Sequence, residues 1–302
     1  MIGWPQTEDG QQFAHRQVFW TTDPNLADEP MLHKEVGGSF PVSTDANGLR
    51  APLHGEQKPD GTFRVMTLGC STTFGWGVAD DETYPARLEG MLRERGFPQV
   101  EVINGGQPGY TTFQGLWLWR RLLHRYQPDL VLVGYIVQDA RKAAFSDLSQ
   151  AVLTGDPGFV QSHLLYKSRL YVGMQVLLGT VTVRAKEREE GGEAGVYRVS
   201  PEEYVGNLRA FTDEIQGVGA TPVMFGFPLE VEGYTEFHRK VLKFTASDLG
   251  VPHFDPSEAV TRAAREQTLY FPKDRGHPNA AGHLLIAELV RDFLIDNKLI
   301  GS

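Results

Sequence analysis

Three residue types in this sequence stand where nucleophilic catalysis would need them. Ser71 sits in Gly69-Cys70-Ser71-Thr72-Thr73-Phe74-Gly75, and Asp274 and His277 lie three residues apart in Phe271-Pro272-Lys273-Asp274-Arg275-Gly276-His277-Pro278. A serine hydroxyl is a poor nucleophile at neutral pH and requires a general base, with a third group to fix the base's tautomer and orientation. Gly276 and Pro278 break the second segment, so both side chains are expected to emerge from one loop or first helical turn. The carboxylate then holds one imidazole nitrogen and leaves the other free. Read alone, Ser71 is better explained as a helix N-cap than as a nucleophile; the Asp-x-x-His pair is what reverses that order. Cys70 is the competing nucleophile, since thiols are intrinsically reactive. Register opposes it, because its side chain is expected to point away from Ser71 and to be buried. Asp274, His277 and His283 also invite a metal reading. The histidine spacing does not suit adjacent turns of one helix face and no second cluster accompanies it, so no metal is expected and His283 is assigned to the surface of the following helix.

These side chains need a frame to hold them. Val65, Met66 and Leu68 between two turn signals read as a short buried strand ending at Gly69. Ser71 is thereby placed at the carboxyl end of a strand, the rim where open α/β sheets bind ligands. Strands are expected near residues 64–68, 100–103, 130–137, 222–226 and 252–254, and helices near 82–95, 112–126, 201–216, 235–248, 257–266 and 280–296. Their alternation implies a parallel sheet covered on both faces. The pattern suggests an α/β fold of flavodoxin-like type, a three-layer α/β/α sandwich around a mostly parallel five-stranded sheet. Residues 1–62, rich in turn formers such as Asn47-Gly48 and Asp60-Gly61, read as an irregular or β-rich arm packed on a main domain of residues 63–302. A segment at about 140–199 is inserted between the third and fourth strands. It holds an apolar helical part, 164–183, and a charged link, 186–192. Two readings stand for it: a lid or acyl-pocket wall, and a helix pair that completes the core or a dimer contact. Asp80, Asp81 and Glu82 read as a solvated loop and helix start.

The order of these blocks resembles the SGNH, or GDSL-like, hydrolase family. That family's first block is G-D-S-x-[TS]-x-G; residues 69–75 match it with Cys70 in place of the aspartate. Its second block supplies an oxyanion-hole glycine after a strand ending in Asn, and Val102-Ile103-Asn104-Gly105-Gly106-Gln107-Pro108-Gly109 corresponds, with Gly109 at the glycine position. The third, G-x-N-D, has its counterpart in Gly134-Tyr135-Ile136-Val137-Gln138-Asp139, where Gln138 replaces Asn and the glycine stands further away. The last, D-x-x-H-P, matches Asp274 to Pro278 without alteration. The resemblance implies the SGNH hydrolase fold and a serine esterase that hydrolyses carboxylic esters, short acyl or acetyl groups favoured, through an acyl-enzyme with a Ser71-His277-Asp274 triad. It further implies an oxyanion hole built from Ser71, Gly109 and Gln138, and no cofactor. Trp76 and Tyr110 adjoin the catalytic turns and are the candidate walls of a substrate pocket. Two alternatives stay open: an O-acyltransferase or carbohydrate deacetylase of the same fold, and a catalytically weak binding protein, motivated by Cys70 and Gln138 together.

Composition narrows the partners. At 302 residues, 41% of them hydrophobic and 22% charged, the chain suits one main soluble domain, and no apolar run reaches the length of a bilayer span. A formal charge of -9 without a basic cluster argues against nucleic acid. The single cysteine, Cys70, excludes an intramolecular disulfide and a cysteine metal cage. The first residues lack the basic start and apolar run of a secretory signal, so the chain reads as cytoplasmic, with export left open. The expected partner is a small-molecule or glycan ester; oligomeric state is left open.

Overall fold

The computed structural model describes residues 20–154, 195–229, 233 and 235–300. Five strands form its central sheet: β3 (Phe63–Gly69), β4 (Val100–Gly106), β5 (Leu130–Val133), β8 (Thr221–Phe225) and β9 (His253–Phe254). They lie in the order β4-β3-β5-β8-β9, and every neighbouring pair is parallel. The expected three-layer α/β/α sandwich is the fold observed. Counted along the sheet's own strands the order is 2-1-3-4-5, whose switch point falls between β3 and β5. Ser71 follows β3 with only Cys70 between them.

Alternation along the strands explains the two cores. In β5, Leu130 and Leu132 join one cluster while Val131 and Val133 join the other. In β3, Val65 faces the first and Met66 and Leu68 the second. Successive side chains of a strand point to opposite faces, and a sheet covered on both sides therefore reads as a nearly continuous apolar run. One face is covered by α2 (Tyr84–Glu94) and α8 (Ala280–Asp296), through Leu88, Leu92, Ile286 and Val290. The other is covered by α3 (Thr112–Arg121), α5 (Pro201–Gly217) and α6 (Glu236–Leu249), through Trp119, Leu208, Phe211 and Leu242. Each such side chain stabilises the fold by about 1.5–3 kcal/mol relative to exposure. Helix starts follow local chemistry: Ser200 accepts from Glu203 N, Glu203 reaches back to Ser200 N, and Pro201 takes the first helical position.

Several expected boundaries move. β5 stops at Val133, where Gly134 N donates to Leu68 O; Tyr135 and Ile136 in the irregular stretch that follows, and Val137 at the start of a turn, are buried, so their hydrophobicity imitates more strand. The helix expected over 112–126 ends at Arg121 and gives way to a 3₁₀ turn, Leu123–Tyr126. The helix near 257–266 is α7, Ser257–Ala263. Asp274 and His277 lie on a strand rather than a helical turn: β10 (Tyr270–Phe271) pairs with β11 (Asp274–Pro278) as an irregular hairpin. In the amino-terminal arm, β1 (Glu29–His33) and β2 (Gly38–Val42) form a second hairpin. Around the insertion, β6 (Lys142–Ala143) pairs with β7 (Val196–Tyr197), and α4 spans Asp147–Thr154. The segments 164–183 and 186–192 lie outside the described residues. Among those described, no helix is long and apolar enough to cross a membrane.

The arm is locked to the serine turn by Arg50, which is fully buried. Its Nη1 donates to Phe74 O at 2.8 Å and Gly75 O at 2.6 Å, and its Nη2 to Val78 O at 2.7 Å and Pro41 O at 3.1 Å. Its Nε donates to Asp80 Oδ1 at 2.7 Å, and Asp80 Oδ2 accepts from Ser43 N. Asp80 is therefore a structural anchor, not the solvated charge expected.

Candidate active site

Strand β3 ends in α1 (Ser71–Phe74), a single helical turn whose N-cap is Cys70. Ser71 is its first residue, so the N-cap account of Ser71 does not apply. The turn is held from below by β4. A Cβ on Gly106 would lie 2.3 Å from Phe74 N, so only glycine admits the approach. Asn104 donates through Nδ2 to Phe74 O at 3.3 Å and accepts from Gly106 N at 3.1 Å. Cys70 is 1% exposed with its Sγ 3.4 Å from Thr72 Oγ1, packed in the core as its register implied.

The β10–β11 hairpin carries the other two residues to Ser71. His277 Nε2 lies 2.8 Å from Ser71 Oγ, and His277 Nδ1 lies 2.6 Å from Asp274 Oδ2. Burial alone would raise the Asp274 carboxyl, but hydrogen bonds and charge from His277 and His33 outweigh it and hold the group at about 2. Asp274 is thus a carboxylate at neutral pH and can only accept. The nitrogen facing it must carry the proton, which makes His277 the Nδ1–H tautomer and leaves Nε2 with a lone pair toward the Ser71 hydroxyl. That arrangement can deprotonate Ser71 as it attacks a carbonyl.

A fourth group stands in the cluster. His33, the last residue of β1, lies with Nε2 2.8 Å from the same Asp274 Oδ2. One ligand atom each from His33, Asp274 and His277 falls within 4.8 Å of the others, the spacing of a possible metal site. The 2.6 and 2.8 Å contacts are those of two N–H donors on one carboxylate oxygen. Nothing local in the sequence links His33 to Asp274, 241 residues away.

The second and third blocks meet through Arg198. Gly109 has φ +80°, a left-handed conformation that favours glycine, and Trp20 packs where its Cβ would be, 3.1 Å away. Arg198 Nη1 donates to Gly109 O at 2.7 Å and approaches Gln138 Oε1 at 3.4 Å. The Gln138 amide oxygen is thereby turned to the guanidinium, leaving its NH₂ end to face elsewhere. Arg198 itself is fixed by both oxygens of buried Asp147, at 3.0 and 2.9 Å, and by Gln114 Oε1 at 2.8 Å. Asp139, next to Gln138, accepts from Thr112 N at 2.9 Å and from Thr112 Oγ1; burial raises its carboxyl to about 7.

Two expectations are corrected. Tyr110 is fully buried and its hydroxyl donates to Trp20 O, so it supports the arm instead of walling a pocket. His283 is fully buried, not on the helix surface. It accepts from Tyr84 N at 3.2 Å and stacks on the Tyr84 ring; burial, with Arg50 and His277 nearby, lowers it to about 3. Trp76 is partly exposed beside Ser71, edge-to-face with Phe40 at 5.3 Å.

Comparisons with known proteins bear on this arrangement. Residues 67–285 match the GDSL-like Lipase/Acylhydrolase family. A stretch of 70 residues, 23% of this chain, is 37% identical to an arylesterase from Vibrio mimicus, and it spans about a third of that relative, 34%. Among solved structures, a lipase/acylhydrolase from Enterococcus faecalis superposes with a TM-score of 0.52 at 16% identity, over 78% of this chain and 97% of that one. A catalytic mutant of an acetylxylan esterase from Geobacillus stearothermophilus gives 0.51 at 17% identity, over 80% and 96%. Such identities speak for the fold alone.

Proposed function

Because the chain belongs to the GDSL-like lipase/acylhydrolase family, we propose that it is a carboxylic ester hydrolase that works through an acyl-enzyme on Ser71. The observation that carries this reading is the unbroken relay from Ser71 Oγ to His277 Nε2 at 2.8 Å and from His277 Nδ1 to Asp274 Oδ2 at 2.6 Å. His277 removes the Ser71 proton as Oγ bonds to the ester carbonyl carbon, and Asp274 stabilises the imidazolium. The same proton passes to the departing alcohol. Water, deprotonated by His277, then attacks the acyl-enzyme, releases the carboxylic acid and restores Ser71.

Three donors serve the oxyanion: the N–H of Ser71, which opens a helical turn where N–H groups lack intrahelical partners, the N–H of Gly109 and the amide of Gln138. The hold of Arg198 on Gly109 O and Gln138 Oε1 supports this role, since preorganised donors stabilise the transition state without reorganising. Short acyl esters are the proposed substrates, with Trp76 beside the acyl site. The local similarity to an arylesterase supports ester chemistry.

The test is hydrolysis of p-nitrophenyl esters from acetyl to octanoyl by the wild type and by Ser71→Ala. Hydrolysis best with the shorter esters and reduced at least about 1000-fold in Ser71→Ala is expected. An inert wild type, or a mutant that keeps its rate, would sink the proposal. Ester formation that depends on an added alcohol or glycan would make the acyl-enzyme a transferase instead.

A further inference from the structure

We propose that His33 is a positioning residue of this active site, its Nε2–H holding the Asp274 carboxylate so that the amino-terminal hairpin completes the relay Ser71-His277-Asp274-His33. The inference rests on the esterase reading above and extends it to a residue outside the family match, which begins at residue 67.

Four observations carry it. His33 is 3% exposed and its Nε2 lies 2.8 Å from Asp274 Oδ2, the oxygen that also receives His277 Nδ1–H. Because an ionised carboxylate only accepts, the His33 nitrogen facing it must carry a hydrogen. The ring is held edge-to-face by Phe271 at 5.0 Å, Phe40 at 6.3 Å and Trp76 at 6.4 Å, so its plane is set by packing from the arm, the serine turn and the β10–β11 hairpin together. Finally, Gly77 at φ +97° leaves the room: a Cβ there would meet His33 Nδ1 and the Phe271 ring, both at 2.7 Å.

Two consequences follow for the reaction. The carboxylate is pinned between two rings, which fixes the rotamer that in turn places His277. Part of its negative charge is also directed at His33 instead of at the imidazolium that forms on His277. Among the described residues, the charged groups facing His33 are Asp274 and, at 3.9 Å from Nε2, Glu35. His277 packs against the ring at 6.3 Å, the aromatic neighbours carry no charge, and Lys273 and Arg275 flank Asp274 in sequence. Removing the His33 donor therefore leaves more of the carboxylate for His277, and the acid limb of kcat/KM moves to higher pH.

The experiment compares kcat, KM and the pH profile of wild type, His33→Phe and His33→Gln on p-nitrophenyl acetate, with thermal melting of each. Phe fills the aromatic box without a donor, and the Gln amide nitrogen reaches near the position of Nε2. His33→Phe is expected to keep KM, to lose about 10- to 100-fold in kcat, the range found when the outer hydrogen-bond partners that orient metal-ligating side chains are removed, and to shift its acid limb upward. His33→Gln is expected to recover most of the rate and the wild-type limb. A folded His33→Phe with unchanged kcat and profile, or a His33→Gln as slow as His33→Phe, overturns the proposal. Should the variants fail to fold, imidazole ¹⁵N NMR of the wild type decides: His33 protonated at Nε2 at neutral pH supports it, and a lone pair there overturns it. Failure of the esterase reading has a separate signature, equal hydrolysis by wild type and Ser71→Ala, and leaves the ¹⁵N result to report on His33 alone.

Discussion

Asp274 does more at the residue scale than orient one ring. It receives two N–H groups on a single oxygen and stays ionised down to about pH 2. In Asp274→Asn the amide presents an N–H toward donors that already carry hydrogens, so His277 loses the tautomer that accepts the Ser71 proton. Turnover is expected to fall about 10⁴-fold, as when the triad aspartate is amidated elsewhere, measured as kcat on the best p-nitrophenyl ester. A fold dependence on acid accompanies it. The folded carboxyl lies below its ordinary 3.8, so its contribution to stability is present above that value and lost as pH falls through about 2. The melting temperature of Asp274→Asn should consequently decline less steeply between pH 4 and 2 than that of the wild type. An equal decline would remove Asp274 from the acid response. The three relay residues were legible in sequence because each sits in a short motif with its turn formers. His33 was not legible, since its partner lies 241 residues away and its only local mark is a polar ring ending a short strand.

Among elements, the insertion's return strand matters most for the site. Just after β7, Arg198 ties Gly109 O, Gln138 Oε1, Gln114 Oε1 and both oxygens of Asp147 into one junction. Arg198→Met frees the Gly109 loop and strands Asp147, which is 2% exposed. Breaking a buried pair from one side costs about 3–5 kcal/mol, so a lower melting temperature is expected together with, if the proposed oxyanion hole is right, a kcat loss on the order of tenfold or more as its donors are misplaced. Adding Asp147→Asn should recover melting temperature, because the stranded charge is gone, while turnover stays low. If turnover returned with stability, Arg198 would matter for folding alone. The longer sheet strands and their covering helices were readable because each is long enough to show its period, and β9, two residues long, was expected near 252–254 from its place in the alternation of short apolar runs and helices. Other short pieces were not: β6, β7 and β10 are two residues each, and a strand of that length has no alternation to display. The buried stretch after β5 carries as much apolar sequence as a strand, and hydrophobicity alone does not separate the two.

For the molecule as a whole, the question is whether the amino-terminal arm is an appendage or part of the folding unit. Turn formers in the sequence pointed to an arm, and they say nothing of how tightly it is held. Arg50 supplies the connection: it is fully buried and donates five hydrogen bonds, to Asp80 and to four backbone carbonyls, two of which belong to Phe74 and Gly75 in and just after the serine turn. In Arg50→Met those carbonyls lose their donor and Asp80 loses its cation. The expected cost is about 3–5 kcal/mol, on the order of 10 °C in Tm for a chain of this size. The shape of the transition is more telling than its midpoint. If arm and sandwich fold together, calorimetry of Arg50→Met gives one transition moved to lower temperature, with ester hydrolysis lost along the same curve, because release of the arm also withdraws His33 from Asp274. A small early transition that leaves hydrolysis intact would instead mean that the sandwich stands alone and that neither Arg50 nor His33 is needed to hold the relay.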